Sequence, residues 1–164
     1  MSIESQEKVI DALVNEFPGS ISDVKIPRLN RAFVTVEKDS LKNTVRYLKD
    51  KQGFTYITTI TAVELPDNYE VVYHLRNNGF NLNIKVKLQK NNTVIPSITD
   101  ILNGAVLYER EVNDLMGIYP EGHPNPSRLI LAYDWPEGVY PLRKEWTIQE
   151  LRERVDGERW GRDE

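Results

Sequence analysis

The sequence predicts a two-layer α+β domain in the order α-β-β-α-β-β-β-α. Its largely antiparallel sheet is covered by helices on one face and followed by a long extended C-terminal segment. Three observations carry this. Residues 80–88 alternate strictly, with Phe80, Leu82, Ile84, Val86 and Leu88 on one side and Asn81, Asn83, Lys85 and Lys87 on the other. That is the period of a strand with one buried and one wet face. Three other stretches place apolar residues three and four apart, the period of a half-buried helix. Beyond them, residues 117–146 follow neither period but are rich in Pro, Gly and aromatics. The chain thus divides into an α+β domain over 1–116, an extended docking segment over 117–146 and a charged tail over 147–164.

The first helix spans 5–17, with Val9, Ile10, Leu13, Val14 and Phe17 on one face, and Pro18-Gly19 stops it. Strands follow at 20–26 and 31–36. A second helix starts from a cap at Asp39 or Ser40, carries Leu41, Val45 and Leu48, and closes at Gly53. Strands at 54–64, 69–76 and 80–88 are joined by Pro66-Asp67-Asn68 and Asn77-Asn78-Gly79, turn sequences that make a meander. The third helix runs from Ser97 or Thr99 to about Met116. Ile98, Ile101, Ala105, Tyr108, Val112 and Leu115 form its stripe, and Gly104 can kink or divide it. A short helix near 148–155 precedes a mobile or partner-bound tail.

Composition narrows the chemistry. The 164 residues make one domain, which can bury ~70% of its unfolded surface. A net charge of −4 without a Lys/Arg block argues against nucleic acid. No apolar run reaches the ~20 residues of a membrane span. Met1-Ser2-Ile3-Glu4-Ser5 lacks the basic start and apolar core of a signal peptide, which makes a cytoplasmic location the default. With no cysteine there is no disulfide, thiolate zinc site, Cys-ligated cluster or cysteine nucleophile. His74 and His123 are the two histidines, too few for the usual structural zinc or blue-copper sets. Phosphate-loop, G-x-S-x-G and H-E-x-x-H motifs are absent.

The densest charges lie on the third helix. At about 100° per residue, Glu109 falls about 50° from the centre of the apolar stripe and Glu111 about 100° away on the other flank. A buried carboxylate needs donors or a cation, and Arg128 and Arg143 are the candidates for Glu109. Arg110 and Asp114 point away from the stripe, four apart, so they are expected to pair on the exposed side. Val106 and Leu107 also fall off the stripe, free to touch a partner or the extended segment. A hydrolytic pair of Glu109 and Glu111 is disfavoured, because residues two apart on a helix project about 200° apart and cannot flank one bond. The carboxylates are expected instead to lock the extended segment to the helix. His123, in a turn, is read as donating to a backbone carbonyl, and His74 as a structural or solvent-facing strand residue. Trp135-Pro136-Glu137-Gly138 suits a type I turn. Arg143 and Lys144 between Leu142 and Trp146 make an amphipathic anchor of the kind found at interfaces.

These residues resemble the signature of the thirty-kilodalton (C-type) subunit of respiratory complex I. Its Glu-Arg-Glu, following acidic residue, two apolar residues and later histidine match Glu109, Arg110, Glu111, Asp114, Leu115, Met116 and His123. Arg128-Leu129-Ile130-Leu131 comes next, and the family's Pro-Leu-Arg-Lys box matches Pro141-Leu142-Arg143-Lys144. Ser127 departs from the pattern, which usually has a basic residue or proline there, so one ionic contact is in doubt. The run Asp134-Trp135-Pro136-Glu137-Gly138-Val139-Tyr140 before that box looks more like subunits of energy-converting membrane-bound [NiFe]-hydrogenases and their sulfur-reducing relatives.

The resemblance implies a non-catalytic scaffold subunit in the peripheral arm of a membrane-bound, ion-translocating oxidoreductase, on the cytoplasmic side. It would pack on a large catalytic (hydrogenase-large-like) subunit and neighbour an iron–sulfur small subunit, meeting the membrane only through the complex. No cofactor is expected in this chain; iron–sulfur clusters and any nickel–iron centre would belong to partners. Glu109, Arg110, Glu111, Asp114, His123, Arg128, Trp135, Arg143, Lys144 and Trp146 form the implied interface signature. The alternative is the equivalent subunit of an NADH or F420H2:quinone complex I. Outside this family stand a free hydrolase using Glu109, Glu111 and His123, and a stand-alone module binding an acidic ligand at Arg128, Arg143 and Lys144.

Overall fold

Five strands order as β1-β2-β5-β4-β3, where β1 is Ile21–Arg28, β2 Arg31–Val36, β3 Tyr56–Glu64, β4 Asn68–Asn77 and β5 Phe80–Gln89. The computed structural model describes the backbone of residues 3–160 and the side chains of residues 4–155. The β3-β4-β5 meander is antiparallel throughout and β1 pairs antiparallel with β2. Only β2 and β5 run parallel, with Val34 opposite Ile84.

Register puts the apolar positions of neighbouring strands on one face. Tyr73 of β4 lies opposite both Ile60 of β3 and Ile84 of β5, and all three are buried. Helices α1 (Ile3–Glu16), α2 (Leu41–Gln52) and α3 (Ala105–Met116) bury their stripes against that face in one core with Leu13, Leu48, Val112 and Ile118. The fold class and element order are thus as the sequence predicts. Short strands β6 (Val94–Pro96) and β7 (Tyr119–Glu121) add a parallel pair, bracketing α3 and fixing where it begins and ends.

Three elements differ from expectation. Helix α3 starts at Ala105, not Ser97, because Ser97 and Thr99 satisfy one another. Their hydroxyls are 2.8 Å apart and Thr99 N–H donates to Ser97 Oγ at 3.2 Å. Side chains that bond local backbone compete with the helix ladder. The tight turn after Trp135 centres on Glu137 and Gly138, with Gly138 at φ 74°; it needs glycine at its third position, unlike a type I turn over 135–138. The last helix, α4, runs Ile148–Trp160, longer than expected. Thr147 N–H and Oγ1 both donate to Glu150 Oε2 at 2.8 and 2.7 Å, and Glu150 N–H returns to Thr147 Oγ1 at 3.2 Å. This reciprocal capping box starts α4 firmly. The expected tail is helical to Trp160; residues 161–164 and the side chains beyond 155 lie outside the described residues.

The second face of the sheet carries a polar chain across four strands. Asn83 donates to the Ala32 carbonyl at 2.8 Å, which turns its Oδ1 toward His74 Nδ1 at 2.6 Å. His74 Nδ1 therefore holds the proton, and Nε2 meets Thr61 Oγ1 at 3.0 Å. Replacing Asn83 by Leu strips partners from two of these groups and should cost roughly 1–3 kcal/mol. Urea titration would show a lower midpoint at unchanged slope, and an unmoved midpoint would refute the network's contribution.

Candidate functional site

Helix α3 is buried on two sides. Its inner side presents Ala105, Glu109, Val112 and Met116 to the sheet. Its outer side is covered by residues 122–146, which form no helix or strand. Where such backbone packs on a helix its N–H and C=O groups need hydrogen-bond partners, and α3 supplies them to residues 126–131.

Asp114 is the centre of that cover. One of its oxygens, Oδ2, accepts from the N–H groups of Leu129, Ile130 and Leu131 at 3.1, 2.8 and 2.8 Å. Arg110 works in the opposite sense. It donates through Nε to the Ser127 carbonyl at 2.9 Å and through Nη2 to Ser127 Oγ at 3.1 Å and the Arg128 carbonyl at 2.6 Å. Asn113 adds a bond to the Pro126 carbonyl at 3.3 Å. The expected exposed Arg110–Asp114 pair does not form, since the covering segment turns this face inward and each side chain binds it separately. Ser127, the residue that departs from the family pattern, serves as a double acceptor.

Glu109 takes the other side. It is 3% exposed, and its partners are Ser97 Oγ at 2.6 Å and Ile98 N–H at 2.8 Å, not Arg128 or Arg143. Two neutral donors stand in place of the expected cation. Burial pushes its pKa above the ordinary 4.5, opposed by those two donors and more weakly by His123. Glu109 thus fastens the turn before α3, not the extended segment. Glu111, expected to help fasten that segment, is exposed and takes no part in these bonds. His123 is 8% exposed, with Nε2 3.0 Å from the Val106 carbonyl and Nδ1 accepting from Asn125 N–H at 3.0 Å. Backbone thus occupies both ring nitrogens. Glu109, Glu111 and His123 assemble no acid–base centre.

The far end of the segment locks onto the C-terminus of α3. Arg143 donates from Nε to the Met116 carbonyl at 2.9 Å and from Nη2 to the Gly117 carbonyl at 3.4 Å. Its guanidinium lies 4.4 Å from the Tyr140 ring centre and 5.4 Å from that of Tyr69. A cation there binds otherwise unpaired carbonyls at the negative helix end. Gly117 permits it: φ is 67°, and a Cβ would collide with the Tyr140 ring and come 2.6 Å from Arg143 Nη2. Arg143 is therefore an internal anchor, contrary to its expected use as an outward one. Lys144 N–H donates to Glu64 Oε2 at 2.8 Å, tying the segment to the end of β3. Trp135 Nε1 donates to the Val139 carbonyl at 2.8 Å and closes the Gly138 turn.

Two sequence-predicted residues keep free donors. Arg128 Nη1 and Trp146 Nε1 are buried atoms without a hydrogen-bond partner. Arg128 borders two cavities that share Glu137 and Pro136, one of about 280 Å³ between α3 and the segment and one of about 810 Å³ within the segment itself. Of the Arg128, Arg143 and Lys144 set expected of an anion module, Arg143 is committed to α3 carbonyls. Outside, the segment shows apolar side chains: Ile130 is 56% exposed, Tyr133 99% and Leu142 59%. Sequence reasoning gave Asp114 the wrong surroundings, although its spacing from Arg110 and Asn113 put all three on one helix face.

Residues 34–152 match the family described as the respiratory-chain NADH dehydrogenase 30-kDa subunit. The chain is similar to the C-type subunit of the F420H2 dehydrogenase of Methanosarcina mazei, 32% identical over 142 residues, covering 84% of this chain and 89% of that one. Formate hydrogenlyase subunit 5 of Escherichia coli is 33% identical over 150 residues, 86% of this chain but 26% of that longer protein. Among solved structures, a chain of an archaeal membrane-bound sulfane sulfur reductase superposes with TM-score 0.76 at 25% identity, over 93% of this chain and 92% of that one.

Two outcomes follow from the geometry. Asp114→Ala leaves three N–H groups without their acceptor, so stability should fall by roughly 2–3 kcal/mol or more. Limited proteolysis should then cut near 129–131, and unchanged resistance there would contradict the assigned role. Glu109 supplies a pH test. Its folded pKa is raised, so the folded chain holds the proton more tightly than the unfolded chain does. The Glu109 contribution to stability is then fully present below about 4.5 and is lost as pH climbs through the folded value. Wild type should lose ground to Glu109→Gln across that window in paired urea melts, and parallel curves would contradict it.

Proposed function

This chain belongs to the respiratory-chain NADH dehydrogenase 30-kDa subunit family, and from that premise we propose that it is a non-catalytic scaffold of a membrane-bound, ion-translocating oxidoreductase. It is a complex I-type subunit, related to components of F420H2 dehydrogenase, formate hydrogenlyase and sulfane sulfur reductase assemblies. On our reading it docks through residues 117–146 on the large catalytic subunit, beside an iron–sulfur small subunit. Clusters and any nickel–iron centre sit in those partners, since this sequence has no cysteine to ligate them. No helix among the described residues is long and apolar enough to cross a membrane. Attachment on the cytoplasmic side would come through the complex.

One observation carries the docking reading. The segment is tied down from within, Asp114 and Arg110 binding its backbone at 127–131 and its own Arg143 binding the end of α3, while Ile130, Tyr133 and Leu142 are exposed. A segment held rigid by its own chain can present apolar anchors without an ordering cost at association. Such aromatic and aliphatic anchors are the groups interfaces bury at their centres. The longer formate hydrogenlyase subunit, in which a domain of this kind is part of a larger chain, fits a lasting attachment. The hydrogenase-type complex is the leading assignment, from the sequence before Pro141. The Methanosarcina relative, matched over nearly its whole length, favours an F420H2 or NADH:quinone complex as the second reading. Whether hydrogen, F420H2 or NADH reduces the complex purified through this chain decides between them.

Docking predicts a separation of stability from assembly. Ile130→Asp combined with Tyr133→Asp alters exposed side chains, so the isolated chain should change by no more than about 0.5 kcal/mol per site. The same double variant should fail to co-purify with the large subunit. Retention at wild-type stoichiometry would sink the proposed interface.

A further inference from the structure

We infer that the outer edge of β3 receives an extended strand from a partner subunit, continuing the sheet across the subunit boundary. This rests on the reading above that the chain works inside a multisubunit complex.

The two edges of the sheet are built differently. The edge strand β1 is guarded: it has register shifts on both sides of Lys25, a positive φ of 47° at Asp23, and Pro27 within the strand. Bulges, lysine and proline are the devices that stop an edge from pairing. The opposite edge, β3, has none of these over its last two-thirds. From Thr59 to Glu64 it runs in unbroken register with β4, after one irregularity between Ile57 and Thr59. Residues 56–63, Tyr-Ile-Thr-Thr-Ile-Thr-Ala-Val, contain no charge and no proline. They are aromatic, β-branched or small, which suits a paired strand and leaves an exposed edge unprotected.

Among the described residues β3 pairs with β4 alone, and no further strand or loop backbone bonds its outer N–H and C=O groups. A long 3.5 Å contact from Thr59 Oγ1 to the Ile60 carbonyl comes from within the strand itself. Helix α3 packs over its inner face through Ile60 and Val112, without bonding to the edge. Such a row of free donors and acceptors recognises one chemistry, another extended backbone.

Position selects the occupant. Glu64, at the end of β3, accepts from Lys144 N–H at 2.8 Å and from Lys90 Nζ at 2.8 Å. The free edge is thereby continuous with the segment proposed to lie on the large subunit, and Val63 (47% exposed) and Leu142 (59%) flank that junction. A partner seated on the stretch around Lys144 is therefore next to the end of β3. The strand it adds should be uncharged where it faces Thr59–Val63, since no charge on β3 would compensate one.

Hydrogen exchange at single-amide resolution tests this, comparing the isolated full chain with the intact complex. In β3 alternate amides face outward, either Thr59, Thr61 and Val63 or Ile60, Ala62 and Glu64. One of these sets should exchange freely in the isolated chain and slow by about 100-fold or more in the complex. Protection of residues 129–146 without the β3 set would overturn the inference and leave the docking reading standing. If neither region gains protection, both readings fail. Protection of the β3 set in the isolated chain that grows with its concentration would make the occupant a second copy and overturn the assignment to a partner subunit.

Discussion

A backbone without helix or strand still needs partners for its N–H and C=O groups where it packs against the protein, and that constraint shapes the outer side of α3. Residues 122–146 meet it by borrowing from α3. Asp114 gathers three successive N–H groups, and Arg110 and Asn113 take carbonyls nearby. On a helix, positions 110, 113 and 114 lie three and four apart along one face, so they form one polar seam. Glu109, one position from Arg110, is turned about 100° away and serves the inner side. The acidic–basic signature therefore divides its labour between two directions: one carboxylate fixes where α3 begins and another fixes what lies over it.

The seam would hold only the start of the segment if its end were free. Arg143 prevents that by occupying carbonyls at the C-terminus of α3, stacked with Tyr140 and close to Tyr69 of the sheet. Lys144 and Glu64 then join the same stretch to β3. Both ends are tied to the same rigid sheet through one helix. The exposed Ile130 and Tyr133 are thus carried in a fixed frame, which matters because ordering a loop at association weakens binding by an amount that pre-ordering avoids.

Most of the sheet and the inner helix faces are legible in the sequence, because periodicity reports contact with a core and these elements touch it. The strict alternation of 80–88 is β5, and the stripe through Ala105 and Val112 is the inner side of α3. The outer side of α3 is not legible for the same reason. Its cover is aperiodic, so Asp114 and Arg110 look like solvent-facing residues with only each other as partner. A signal exists in Asn113, which makes three hydrogen-bonding residues on one face opposite a Pro-rich stretch. The parallel pairing of β2 with β5 is also hidden, since nothing local in either strand specifies the direction of a distant neighbour. In the last helix the capping box Thr147-x-x-Glu150 is readable and marks the start of α4 better than its weak apolar pattern does.

The distribution of satisfied and unsatisfied groups says more about these side chains than the count of acidic residues does. Catalytic groups need a free bonding direction toward substrate, with geometry that brings acid, base and oxyanion donors together. Here Glu109 is bonded through both oxygens, and His123 through both nitrogens. Asp114 is committed to backbone and Arg143 to helix carbonyls. What stays uncommitted is Arg128 Nη1, Trp146 Nε1, the apolar side chains on the covering segment and the bare backbone edge of β3. The apolar side chains can bury surface against another protein, and the edge can extend a sheet. The polar side chains of the α3 signature hold the covering segment in place, and exposed apolar side chains and a backbone edge remain on the surface.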